Sequence, residues 1–154
     1  MQLIGIETDE QGITPQALER AAQTFDTKFL YCAPSLHNPT SATMSMQRRE
    51  AIAAVVRAHG LYIIEDCVHA AMQAAPLPAL STWLPQHSFL LSSFSKVLAP
   101  GLRLGYIVAP PALNATVPED PPGVVAATGI GDAGDVDVTV PVPLPAFVTE
   151  RSEE

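Results

Sequence analysis

The sequence predicts an α/β fold with a mainly parallel sheet flanked by helices. Three observations point there. Short apolar runs alternate with segments of helical period. The runs are apolar on both faces, as in strands covered on both sides. The residues with useful chemistry stand at or just past the ends of these runs, where open α/β sheets bind ligands.

Leu3 to Glu7 reads as a short strand, and Asp9-Glu10-Gln11-Gly12 as a turn. Thr14 followed by Pro15 is a helix start. Threonine caps, and proline takes the first helical position, where its missing N–H costs nothing. Leu18, Ala21, Ala22 and Phe25 then recur at helical spacing, predicting a helix of about ten residues. Lys28 to Cys32 is a buried-strand run, and Pro34 to Thr43 a loop rich in Pro, Asn, Ser and Thr.

Ser45 caps the second helix, in which Ile52, Val55, Val56 and His59 share one face. Arg48, Arg49 and Arg57 form its more polar side, and Gly60 ends it. Leu61 to Ile64 is an apolar strand ending on Glu65-Asp66. Phe89 to Leu91 is another, ending in Ser92-Ser93-Phe94-Ser95-Lys96, and Leu104 to Val108 is a third.

After Pro110 the character changes. Residues 111–154 hold seven of the fifteen prolines, no lysine, and little helical or strand period. They divide the chain into a folded part, 1–110, and an acidic, proline-rich tail, 111–154, expected to be irregular or disordered. The net charge of −8 falls almost wholly on the tail, with −1 up to Pro110 and −7 beyond. Neither part has the basic stripe that nucleic-acid binding requires. No stretch approaches the roughly 18 apolar residues of a membrane span. The N-terminus lacks the basic and apolar regions of a signal peptide. Cys32 and Cys67 form no CxxC pair and read as reduced thiols of a cytoplasmic protein.

Four stretches carry the chemistry: Leu36-His37-Asn38-Pro39-Thr40-Ser41, Ile64-Glu65-Asp66-Cys67, Ser93-Phe94-Ser95-Lys96, and Pro100 to Gly105 with Arg103. Lys96 just past an apolar strand is expected to be partly desolvated, which frees its amine to form an imine. Asp66 at a strand end can hold a protonated ring nitrogen. Singly, each has a plainer explanation. Lys96 is then a solvated loop lysine, Asp66 a helix cap, Asn38-Pro39 a turn starter, and Arg103 a surface ion-pair partner.

The set is far more specific than its members. Asn-Pro-Thr, then Ile-Ile-Glu-Asp, then Ser-x-Ser-Lys, then Ala-Pro-Gly-Leu-Arg-Leu-Gly-Tyr occur in one order. The stretch from about Leu3 to Pro110 resembles the large domain of fold-type I, pyridoxal-phosphate-dependent class I/II aminotransferases. Within them it is most similar to the aminotransferase-like domain of GntR/MocR-type regulators. The resemblance implies that Lys96 forms a Schiff base with pyridoxal 5'-phosphate and later carries the substrate proton. It implies that Asp66 binds the pyridine nitrogen, that Asn38 binds the phenolic oxygen, and that Ser93, Ser95 and Arg103 bind the phosphate.

There are departures. A tyrosine usually follows the aspartate by two or three residues; here Val68 and His69 stand there, and His69 can donate a hydrogen bond. The usual glycine after Asn-Pro-Thr is Ser41, the glutamine often found before the asparagine is His37, and Cys67 replaces a common second aspartate.

The resemblance also implies segments that these residues do not supply: a glycine-containing phosphate loop, a ring-stacking aromatic, and a small domain whose arginine grips the substrate carboxylate. The expectation is therefore a fragment of the large domain. Three functions are open to it: transfer of an amino group between amino acid and keto acid, in a homodimer; ligand sensing as the effector domain of a MocR-type regulator without its DNA-binding part; or none, as a truncated remnant.

Overall fold

The computed structural model describes residues 3–98, 105–116, 124–128 and 138–139. Thr8–Asp9 (β1) and Gly12–Ile13 (β2) pair antiparallel across a turn in which Gly12 takes a φ of 90°. The strand expected over Leu3–Glu7 is absent. That segment gains no ladder partner, and only Ile6 packs against the core. Thr14 caps α1 (Pro15–Thr24), its side chain accepting the Ala17 N–H at 3.3 Å. Leu18 is fully buried, whereas Phe25 caps the C-terminus in extended backbone and stays 44 % exposed.

β3 (Phe29–Cys32) leads through a loop to α2 (Met46–Ala58), capped by Ser45. His59 ends α2 and Gly60 follows at a φ of 61°, the left-handed position that glycine fills without strain. β4 (Tyr62–Asp66), β5 (Ser88–Ser93) and β6 (Gly105–Ala109) follow. The six-stranded sheet has the order β3-β4-β5-β6-β7-β8, where β7 is Val124–Thr128 and β8 is Val138–Thr139. β3, β4 and β5 are mutually parallel. β6 runs antiparallel to β5, β7 parallel to β6, and β8 antiparallel to β7. In the tail only Pro111–Thr116, a 3-10 turn, and the segments of β7 and β8 are described. Two of its segments, rich in valine, alanine and threonine, add strands to the β6 edge, because an open edge gives their backbone groups partners that period alone did not reveal.

One contiguous core joins Leu18 of α1, Leu30 and Cys32 of β3, Ile52, Ala53 and Val56 of α2, and Ile63 of β4, with Met44, Leu61, Leu80 and Leu84. Each fully buried Leu, Ile or Val contributes roughly 1.5–3 kcal/mol over the exposed state. The helices lie on this face of the sheet. On β3 the alternate residues Phe29 and Tyr31 turn the other way and are 54 % and 61 % exposed. The expected two-sided cover is therefore not seen at β3.

Arg49, read from sequence as part of the polar side of α2, is 1 % exposed. Its charge suggested that side, but helical period sets it on the stripe of Ile52, Ala53 and Val56, where its guanidinium finds a polar socket. It donates to the carbonyls of Met44, Pro34 and Pro78 at 2.9–3.1 Å and to Ser35 Oγ at 2.7 Å. Arg48 instead reaches out to pair with Asp9 at 2.6 Å and to donate to the Ile13 carbonyl, tying α2 to the β1–β2 turn. Glu65, fully buried, accepts the N–H groups of Leu80 at 2.7 Å and Ser81 at 2.9 Å. Between them Arg49 and Glu65 fasten both ends of the 34–44 loop and the segment around 78–81.

Within that loop Leu36 and Ser41 adopt left-handed backbone, with φ of 49° and 58°, and Asn38-Pro39 is cis. His37 and Ser41 clasp it: the Ser41 N–H donates to the His37 carbonyl, and the His37 N–H to the Ala42 carbonyl at 2.9 Å.

Arg49→Met keeps the apolar stem but strips four acceptors of their donor and Glu65 of its opposite charge. The expected loss is about 3 kcal/mol or more in urea unfolding. Burial pushes the Glu65 carboxyl up, against the lowering pull of its two N–H donors and Arg49. Its contribution to stability is full below the unfolded carboxyl value of about 4.3 and is lost as pH rises through the raised folded value. Glu65→Gln is expected to flatten that decline in unfolding curves taken across the pH series. Ser41→Gly relieves left-handed strain, offset in part by the freer unfolded glycine. Stability is expected to rise by up to about 1 kcal/mol, read as a higher thermal midpoint.

Candidate cofactor site

β3, β4 and β5 are adjacent and parallel, so their C-terminal ends share one edge of the sheet. Parallel neighbours need crossovers, and α2 provides the one between β3 and β4. Each strand delivers one predicted residue to that edge. The loop after β3 holds Asn38, β4 ends on Asp66, and β5 runs into a single 3-10 turn, Phe94–Lys96.

Asp66 is half-buried and held at both oxygens. Oδ1 accepts the Val68 N–H at 3.0 Å, and Oδ2 accepts the Tyr31 hydroxyl at 2.7 Å. Ser93 caps the turn that carries Lys96, its Oγ accepting the Ser95 N–H at 3.1 Å. Ser93 and Ser95 are half-buried, and Lys96 is exposed. The partial desolvation expected of Lys96 is therefore not present.

Asn38 is exposed at the loop tip, beside a His37 Nδ1 that lies 2.8 Å from Thr40 Oγ1. His69 is half-buried at the head of the turn Ala70–Met72, and its side chain makes no hydrogen bond among the described residues. Arg103 lies outside the described residues. Cys32 and Cys67 are free thiols, both pushed up by burial. Among the described residues no group of acidic, histidine or cysteine side chains could hold a metal, and no helix is long and apolar enough to cross a membrane.

Sequence reasoning missed Tyr31, Arg49 and Glu65. Alternation along β3 and β4 gives the face of each residue. Only the register, Tyr31 level with Ile64, brings the phenol within reach of Asp66. Arg49 did carry a signal, since it falls at helical spacing with Ile52, Ala53 and Val56, but its charge spoke against burial.

The side chains suit pyridoxal phosphate. Asp66, already fixed as a hydrogen-bond acceptor, fits a ring N–H. The exposed Lys96 amine fits an aldehyde, the Asn38 amide a phenolic oxygen, and the Ser93–Ser95 turn a phosphate.

Residues 4–123 match the family model for aminotransferase class I and II. An uncharacterized HTH-type transcriptional regulator of Bacillus subtilis, YdeF, is 38 % identical over 110 residues, covering 71 % of this chain and 24 % of that protein. The aminotransferase swnA of Metarhizium robertsii is 33 % identical over 124 residues, covering 71 % of this chain and 25 % of that one. Among solved structures, an archaeal alanine:glyoxylate aminotransferase superposes with a TM-score of 0.65 at 29 % identity, over 70 % of this chain and 29 % of its own. LysN, the α-aminoadipate aminotransferase of Thermus thermophilus, complexed with N-(5'-phosphopyridoxyl)-L-leucine, gives 0.61 at 30 % identity, over 68 % and 28 %. The chain spans about a quarter of the length of these relatives. With the strand order, the edge that gathers Asn38, Asp66 and Lys96, and the match over 4–123 in agreement, the chain belongs to the class I and II aminotransferase family.

Proposed function

We propose that this chain is the cofactor-holding part of a pyridoxal-phosphate aminotransferase-type domain that passes an amino group between an amino acid and a keto acid. The observation that carries this reading is the delivery of an asparagine, an aspartate and a lysine by three adjacent parallel strands to one sheet edge. The phosphopyridoxyl compound in the LysN complex supports the choice of cofactor.

In this reading Lys96 attaches the cofactor covalently and moves the proton at the substrate α-carbon. Asp66 holds the proton of the ring nitrogen, and Asn38 donates to the phenolic oxygen, with His69 as a neighbouring donor. Ser93, Ser95 and Arg103 bind the phosphate. The bound cofactor supplies the electron sink for the α-carbanion. Residues 1–110 form the aminotransferase part, working as a homodimer. The two thiols fit a reducing, cytoplasmic setting.

A second reading rests on the transcription regulators among the relatives, YdeF and YcxD at 38 % and 35 % identity. There the same residues hold the cofactor as the sensor of an effector domain, and another segment contacts DNA. Both readings require cofactor attachment at Lys96.

Purified chain titrated with pyridoxal phosphate is expected to develop a visible band that borohydride fixes onto the peptide holding Lys96. Lys96→Ala should lose the band entirely. Asp66→Ala should weaken cofactor binding by about tenfold or more, the scale of a lost charge-assisted hydrogen bond. No band in the wild type, or equal bands in wild type and Lys96→Ala, would make the motif a remnant without function in this chain.

A further inference from the structure

Tyr31 stands on β3 level with Ile64 of β4, and Asp66 lies two residues further along the same face. That diagonal places a long aromatic side chain within reach of the carboxylate. The hydroxyl to Oδ2 distance is 2.7 Å, that of a well-formed O–H···O bond, here to a carboxylate acceptor. The other oxygen is taken by the Val68 N–H at 3.0 Å. Bonds at both oxygens stop the carboxylate turning about its terminal torsion, which is broad when unrestrained. Each oxygen accepts two bonds, so the fixed carboxylate keeps a free lone pair for a ligand N–H.

We propose that Tyr31 is a positioning residue of the cofactor site, whose hydroxyl fixes the Asp66 carboxylate in the plane in which it receives the ring nitrogen; the inference rests on the pyridoxal-phosphate reading above.

Partial burial and the Asp66 charge push the Tyr31 phenol up, so it remains a donor throughout the working pH range. Its exposure, 61 %, means that the ring contributes little to the core. Phe29, two residues earlier on the same face, is 54 % exposed and lies 5.7 Å from the Tyr62 ring, with no bond to Asp66. It is the natural control for strand packing.

The test is a pyridoxal-phosphate titration of the full chain as wild type, Tyr31→Phe and Phe29→Leu, reading affinity and the pH midpoint of the visible band, with thermal unfolding of each protein. Tyr31→Phe is expected to melt with the wild type yet bind the cofactor about tenfold more weakly, the scale of one hydrogen bond to a charged group. Its band midpoint should move up, because a carboxylate relieved of the phenol takes more of the ring proton and leaves less positive charge beside the Lys96 nitrogen. Phe29→Leu should change neither quantity. If Tyr31→Phe and Phe29→Leu behave alike, Tyr31 is only a strand surface residue, while the cofactor reading stands. If the wild type gives no band, the cofactor reading falls and the role of Tyr31 falls with it. If Tyr31→Phe alone melts early, with the pH midpoint unmoved, the role is structural and the proposal is overturned.

Discussion

The buried guanidinium of Arg49 is the contact on which the arrangement of the site depends. It ties the first residues of the 34–44 loop, the last residue of that loop, and the segment before Leu80 to one helix. An arginine suits the position because its fork of donors satisfies several carbonyls at once, which a lysine's single point of charge would not. Glu65 complements it from β4, answering the N–H groups of the turn at Leu80–Thr82. Two buried charges in a small domain are costly unless each is surrounded by partners, and here both are.

The consequence reaches the functional edge. Asn38 sits at the tip of a loop whose two stems Arg49 holds. Asp66 follows directly after Glu65, so the anchor of one carboxylate sets the strand that presents the other. The two neighbours face opposite sides of the sheet. Glu65 points into the helical layer, and Asp66 toward the open side with Tyr31. A pleated strand thus turns two consecutive acids to opposite faces, one into the core and one to the open side.

The placement also explains how regulators and enzymes can share this part of the chain. Under the proposed function the residues gathered at the sheet edge would hold the cofactor and support its ring. Choice of substrate, or use of the bound state as a signal, is then decided by segments that pack around this edge. Relatives about four times the length of the matched region have ample chain for that.

Much of this was legible in the residues. Thr14-Pro15, Ser45 and Gly60 mark helix ends by local backbone chemistry, and α1 and α2 begin and end accordingly. The strands leading to Asn38, Asp66 and Lys96 are apolar runs that name themselves. The family followed from motif order, since four short motifs in one sequence are far rarer than any one of them. The polar socket of Arg49 and the added strands β7 and β8 were not legible. Each depends on partners distant in sequence: carbonyls from two loops, and the open edge of β6. The sequence by itself determined the family, the helix ends and the order of the main strands, because caps, periods and motifs act over a few residues. Only the tertiary structure decided the register that joins Tyr31 to Asp66 and the socket that buries Arg49, because those contacts cross 35 and up to 29 positions of chain.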